Sequence, residues 1–287
     1  MHPIRRVLAP NPGIETLDGT NTWIVGAGPS IVIDPGPELP EHLEVVAAEA
    51  RPVGAILVTH DHPDHAPGAA RLATVVGAPV LAFRLAGAER LRAGQRIVGG
   101  GAELIAVHTP GHTSDHVAFF EPAGAALFTG DAVVGRGTSF IDPPDGDLAQ
   151  YLRSLRRMLE LRPRTIYPGH GPVVLRAIDK LEEYLAHRED REQEIRAALA
   201  EHPHTVEQLV SSIYAAYPEA VRPFAARSVL AHLLKLEREG KVARGGRGED
   251  GPWSAAVVRT CARCGRRVTG RARYCSSCSL AILQGED

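Results

Sequence analysis

Up to about residue 173 the chain alternates short β-branched apolar runs with stretches whose apolar positions recur every three or four residues. That pattern predicts a layered α/β domain. Strands are expected over residues 30–34, 54–59, 80–83, 104–108, 117–120, 126–129 and 165–167, several ending in polar or glycine-rich turns where chemistry belongs. Helices are expected over 67–76 and 148–161, the second with Leu148, Leu152, Leu155 and Leu159 as its core-facing stripe. From residue 174 to 202 Glu, Arg, Leu and Ala dominate and the apolar face is scattered, which predicts a long, partly exposed connecting helix. Thr205 is a good N-cap for a helix over 206–215, and a second helix over 225–240 carries Val229, Leu230, Leu233, Leu234 and Leu236 before Gly240 stops it. Two helices followed by residues 241–258, with a glycine-rich tip at 245–251 between strand-like runs, predict a winged-helix module.

Length and composition narrow this picture. At 287 residues the chain exceeds what one core comfortably fills, so two or three modules are expected. A net charge of −2 offers no global attraction to nucleic acid or to a membrane, and any polyanion contact must be local. No apolar run has the roughly 18 residues a span requires, and Met1-His2-Pro3-Ile4-Arg5-Arg6 lacks the apolar core of an export signal. The expectation is a cytoplasmic protein with no membrane partner. All four cysteines fall in the final 27 residues, where a reducing compartment favours metal binding over disulfides.

The sharpest feature is Thr59-His60-Asp61-His62-Pro63-Asp64-His65, three histidines and an aspartate in ligand-like spacing directly after an apolar strand. Imidazole and carboxylate suit zinc, iron or manganese, and a strand-to-helix turn can aim alternate residues at one point. The plain alternative is a polar turn with incidental histidines. Against it stand His112 in Thr109-Pro110-Gly111-His112-Thr113, Asp131 in Phe128-Thr129-Gly130-Asp131 and His170 in Tyr167-Pro168-Gly169-His170-Gly171, each just beyond an expected strand. His116 reads either as a support for the ligands or as a structural residue. His108 reads as structural, and His2, His42, His187, His202, His204 and His232 read as surface residues.

This ordered set resembles the metallo-β-lactamase superfamily over roughly residues 1–175. The resemblance implies an αββα sandwich whose centre holds two divalent ions, zinc first, with manganese or iron as competitors because every ligand is nitrogen or oxygen. It assigns His60, His62 and His112 to one ion, Asp64, His65 and His170 to the other, and Asp131 to both. It also implies that a water shared by the two ions becomes the nucleophile, with Asp64 as the catalytic carboxylate that orients it. Asn11-Pro12-Gly13, Leu17-Asp18-Gly19-Thr20-Asn21-Thr22, Gly135-Arg136-Gly137-Thr138 and His187-Arg188 are further similar to the β-lactamase-like protein 2 group. That likeness implies a winged-helix-like C-terminal domain and endoribonuclease activity on single-stranded RNA. Asp61 and Pro63 depart from the group, which more often has bulky or basic residues there, and an added acid disfavours a polyanion. The alternative substrate is a small thioester or ester of the hydroxyacylglutathione hydrolase (glyoxalase II) type, since fold does not settle function.

Cys261-x-x-Cys264 and Cys275-x-x-Cys278 have the spacing of a four-thiolate zinc site, so a zinc ribbon with one structural zinc is expected beyond the family likeness. Arg259, Arg263, Arg266, Arg267, Arg271 and Arg273 with Tyr274 form either a surface for single-stranded nucleic acid or a solvated face. The expected division is a catalytic domain at 1–175, a connector helix with winged-helix-like domain at 176–258, and a zinc ribbon at 259–287.

Overall fold

The structure is a computed structural model that describes residues 2–246, 251–256, 258–265, 267–269 and 274–283. Two compact units divide the chain, Met1–Arg188 and Glu189–Asp287. In the first unit, β1 (Ile4–Leu8), β2 (Asn21–Val25), β3 (Ser30–Ile33), β4 (Val53–Leu57), β5 (Val80–Ala82) and β6 (Glu89–Arg90) form one sheet in sequence order. A second sheet takes the order β11-β10-β9-β8-β7 from β7 (Arg96–Gly99), β8 (Ala102–His108), β9 (Val117–Glu121), β10 (Ala126–Gly130) and β11 (Thr165–Pro168).

Strand alternation explains how the layers stack. Trp23, Val25, Ile31, Ile33 and Leu57 from the first sheet meet Leu104, Phe119 and Phe128 from the second in one core. The intervening residues Ile24, Val32 and Ile56 face the opposite way, onto α1 (Pro40–Ala50) and α2 (Gly68–Val76). Both faces of these strands are therefore covered, and β2 and β3 have every residue buried. With α3 (Leu148–Glu160) inserted between β10 and β11 of the second sheet, the result is the expected αββα arrangement. Asp147 caps α3, its carboxylate accepting from the Gln150 N–H. The buried face of α3 is Leu148, Tyr151, Ser154, Leu155 and Met158, so the stripe expected from its leucines is corrected: Leu152 and Leu159 lie at its edges, half-buried.

Several elements differ from their sequence pattern. β1 was not anticipated because Arg5 and Arg6 are exposed along it, leaving little apolar signal. α1 is not among the elements expected from the sequence, and its His42 is buried, not on the surface as expected, with Nε2 3.0 Å from Thr22 Oγ1. His232 is likewise fully buried.

Helix α4 (Ala177–Glu201) gives its first turns to the first unit and the rest to the second. In the second unit α5 (Val206–Ile213) opens with a capping box in which Thr205 and Gln208 satisfy each other's backbone donors. α6 (Arg222–Arg238) follows, then β12 (Val242–Arg244) paired antiparallel with β13 (Trp253–Ala255), and Leu209, Val229, Leu233 and Trp253 share one core. The expected tip between these strands lies partly outside the described residues, at 247–250. A second pair, β14 (Val258–Thr260) and β15 (Arg267–Thr269), and α7 (Ser276–Leu283) surround the cysteines in sequence. No helix among the described residues is long and apolar enough to cross a membrane.

Candidate metal centre

All seven residues expected to be ligands sit on loops at one edge of the two sheets. The loop after β4 carries His60 to His65, the loop between β8 and β9 carries His112, and Asp131 and His170 follow β10 and β11. Tight turns make the convergence possible. Gly111 has φ of +137°, and a Cβ there would lie 2.3 Å from the Tyr151 backbone. A Cβ at Gly169 would lie 2.5 Å from Asp131 Oδ1, so only glycine lets that loop reach the centre.

Two groups of donor atoms result. In one, His60, His62, His112 and Asp131 place a ligand atom each within 4.8 Å of one another; in the other, Asp64, His65 and His170 do the same. Asp131 reaches both groups: its Oδ1 lies 3.3 Å from His65 Nε2 and 3.2 Å from His170 Nε2, and its Oδ2 lies 3.8 Å from His112 Nε2. Around the second group the remaining edges are 3.3 Å (Asp64 Oδ2 to His65 Nε2), 3.1 Å (Asp64 Oδ2 to His170 Nε2) and 3.2 Å between the two imidazole nitrogens. Donors at about 2.0–2.2 Å from a tetrahedral zinc stand roughly 3.3–3.5 Å apart, so this cage has the size of a coordination shell. His62 Nδ1 and His112 Nε2, 3.3 Å apart, match the same edge. His60 Nε2 and Asp131 Oδ1 are buried without a hydrogen-bond partner, which a cation would supply.

The electrostatics agree. Burial alone would raise the Asp64 carboxyl, but the charge of His65 and a hydrogen bond from His170 hold it well below the usual carboxylate range. Asp131 is likewise held well below that range, burial being outweighed by His170 and His65. Burial opposes a proton on His65, yet Asp131, Asp34 and Asp64 together carry its pKa well above the ordinary value, and Asp131 and Asp64 similarly lift His170 to about 9 against its burial. His60 is pushed well below, by burial first and then by the charge of His65. A centre that concentrates carboxylates and holds protons on two imidazoles at neutral pH is one where a divalent cation can take their place.

The residue that supports a ligand in each donor group is one that sequence reasoning did not single out. Asp34, at φ of +51° just past β3 and fully buried, accepts from Thr59 N (2.8 Å), Thr59 Oγ1 (2.8 Å) and His65 Nδ1 (2.9 Å). Because Thr59 spends its proton on Asp34, its oxygen is free to accept from His60 Nδ1 at 2.9 Å. One carboxylate thus fixes the tautomer of a ligand in each group, leaving Nε2 aimed inward. The only sequence signal was an aspartate directly after an apolar strand and before Pro35-Gly36. His112 is held from Nδ1 by the Phe140 carbonyl at 2.8 Å. His116 is fully buried, its Nδ1 2.9 Å from Thr109 Oγ1 and its ring 5.1 Å from that of His60, so it packs behind the ligands. His108 stacks on Phe83 with centroids 4.1 Å apart.

Cys261, Cys264, Cys275 and Cys278 also converge, their sulfurs within 4.8 Å of one another. Cys264 and Cys275 are 3.6 Å apart, too far for a disulfide and close to the roughly 3.8 Å edge of a zinc tetrathiolate. Backbone N–H groups draw Cys261 down to about 6, whereas the neighbouring sulfurs of Cys264 and Cys275 push Cys278 up to about 12, so four thiolates need a cation between them. Cys275→Ser is expected to lower the metal content by one ion per chain and open the tail to protease, because so small a unit does not fold without its ion. Metal analysis beside limited proteolysis checks this, and unchanged metal content would refute it. In the basic cluster Arg263 is exposed; Arg266, Arg271, Arg273 and the side chains of Arg259 and Arg267 lie outside the described residues.

Comparison with known proteins bears on both units. The family model described as metallo-beta-lactamase superfamily matches residues 16–94 and 81–170, and the beta-lactamase associated winged helix domain matches residues 205–253. The chain is 35% identical over 266 residues to a beta-lactamase-like protein 2 homolog of Drosophila melanogaster, covering 83% of this chain and 88% of that one. It is 37% identical over 258 residues to an atrochrysone carboxyl ACP thioesterase of Aspergillus chevalieri, covering 83% and 82%. Among solved structures it is similar to a beta-lactamase domain protein from Burkholderia ambifaria, with a TM-score of 0.78 at 23% identity, covering 88% of this chain and 91% of that one.

Proposed function

Because the chain belongs to the metallo-β-lactamase superfamily and is a metal-dependent hydrolase, we propose that it cleaves a carboxylic thioester or ester with an apolar acyl part. The observation that carries this is a groove of about 540 Å³ whose lining includes Asp61, Ala66, Ala70, Ala73, Leu85 and Ala86. Asp61 and Ala66 bracket His62, Asp64 and His65 in the chain, so the groove adjoins the metal-binding loop, with none of the seven ligands in its own lining. The lining contains no Lys or Arg, and its charged members are Asp61 and Glu89. Within the groove a phosphodiester backbone would meet Asp61 and Glu89, the arginines Arg84 and Arg90 lining an adjoining cavity, whereas an acyl chain would bury against alanines. The likeness to an ACP thioesterase supports the same chemistry.

Ions held by His60, His62, His112 and Asp131 on one side, and by Asp64, His65, His170 and Asp131 on the other, would polarise the scissile carbonyl and bring the pKa of water toward neutrality. The protein's own groups do the rest. Asp131 ties the two groups together, and Asp64, whose side chain is 23% exposed against 14% for Asp131, is the carboxylate open to an incoming water and able to orient it. The water oxygen bonds to the carbonyl carbon, the C–S or C–O bond breaks, and the thiol or alcohol leaves with a proton.

The test is the zinc- or manganese-loaded full chain against acyl-pantetheine thioesters of increasing length, S-D-lactoylglutathione and labelled single-stranded RNA. Turnover of the thioesters is expected, with kcat/KM rising roughly two- to fourfold per added methylene until the groove is filled. Ala70→Trp should flatten that dependence while sparing the shortest substrate. Cleavage of RNA without turnover of any thioester would move the protein to the endoribonuclease reading that its likeness to β-lactamase-like protein 2 implies.

A further inference from the structure

The two donor groups are not supported in the same way. Asp64 and His170 are both gripped by one tripeptide, Gly19-Thr20-Asn21, at the entry to β2. Thr20 is fully buried, and its Oγ1 lies 3.0 Å from Asp64 Oδ2 and 2.9 Å from Asn11 Nδ2. The orientation of the Asn11 amide is set by the backbone: its Oδ1 accepts from Thr20 N at 2.9 Å, and an N–H can only donate, so the amide nitrogen must face Oγ1. A hydroxyl has one proton. With a lone pair already taken by Asn11, Thr20 has to deliver that proton to Asp64.

The flanking residues act on the other ligand. The Gly19 carbonyl lies 3.2 Å from His170 Nδ1, which holds a proton there and leaves Nε2 as the nitrogen whose proton a cation would replace. Asn21 donates from Nδ2 to the carbonyls of Pro168 and Gly171, each at 2.9 Å, and from its backbone N to Gly169 at 2.7 Å, clasping the loop on which His170 rides. His60 and His112 are oriented instead by Thr59 and Phe140.

We propose that Thr20, oriented by Asn11, is a positioning residue that sets the affinity of the Asp64–His65–His170 site without touching the ion or the substrate. This rests on the assignment of those three residues as ligands, and it holds for an acyl or a phosphoryl substrate alike. Its signature is selective: removing the hydroxyl weakens one of the two ions, not both.

The experiment titrates the metal-free full chain with Co(II), reading d–d absorption and heat of binding, while the thiolate charge-transfer band reports the four-cysteine site separately. Wild type is expected to fill two nitrogen/oxygen sites. Thr20→Val, nearly isosteric but without a donor, should keep one affinity and weaken the other by roughly 10- to 100-fold, as loss of a ligand's supporting partner does, and Thr20→Ser should restore it. Asn11→Asp provides a second, independent probe. A carboxylate cannot donate, so it would claim the Thr20 proton and weaken the same site, although added negative charge alone would strengthen cation binding. A Thr20→Val protein that binds both ions as wild type does, or a serine variant that restores nothing, overturns the inference. Wild type filling only one nitrogen/oxygen site overturns the ligand assignment and the inference with it.

Discussion

Alanine in place of Asp131 is expected to abolish hydrolysis, lowering kcat/KM by at least about 10³-fold, or roughly 4 kcal/mol of transition-state stabilisation. Among the described residues, no other contributes an oxygen to both donor groups: Oδ1 faces His65 and His170, and Oδ2 faces His112. Removing it leaves each group short of one negative ligand and removes the counter-charge that lifts His65 and His170. Those imidazoles then compete less well for a cation, because nothing compensates the charge they are asked to share. The measurement is kcat/KM on the best thioester beside metal content, with the cobalt–thiolate band as a control that the cysteine site is untouched. Activity within tenfold of wild type would refute the shared-ligand role.

Asp34→Asn is expected to have the largest effect on stability. Three donors, Thr59 N, Thr59 Oγ1 and His65 Nδ1, converge on this buried carboxylate. An asparagine has one acceptor oxygen and would turn an NH₂ group toward at least one of those donors. Breaking a buried charged pair from one side costs about 3–5 kcal/mol, because the remaining partner stays buried without compensation. A drop of that size in urea-unfolding free energy is expected, together with weaker binding of both ions, since His65 belongs to one group and His60, held through Thr59, to the other. The contrast with Thr20→Val is informative: one supporting residue acts on the whole centre and the other on half of it. A stable Asp34→Asn protein with normal ion affinities would show that the ligands hold their own orientation.

How much of the centre was legible beforehand follows from what each residue reveals locally. His60 to His65 announce themselves because five polar residues crowd behind an apolar strand, and His112, Asp131 and His170 share a glycine-and-strand context that repeats. The cysteine spacing was equally local. Asp34 carried almost no such signal: its partners lie 25 and 31 residues away, and nothing near it in the chain needs a charge. Thr20 and Asn21 stand in a motif that carries the family resemblance, but their work on Asp64 and on the His170 loop spans 44 to 150 residues and exists only once two sheets face each other. The groove beside the metal loop was not anticipated either, because alanines in α2 and in the stretch before β6 look like ordinary helix and turn residues until they are set opposite one another.

The sequence by itself determined the layered α/β architecture, the module that follows it, the ligand inventory and the four-thiolate tail, because periodicity, turn chemistry and ligand spacing act over a few residues. Only the tertiary structure decided which buried hydroxyls and which buried carboxylate orient the ligands, and that an alanine-lined groove adjoins the loop after β4. Those outcomes depend on where separate loops end when the strands that carry them pack, and a hydrogen bond at 3 Å between residues far apart in the chain leaves no periodic trace in either partner's neighbourhood.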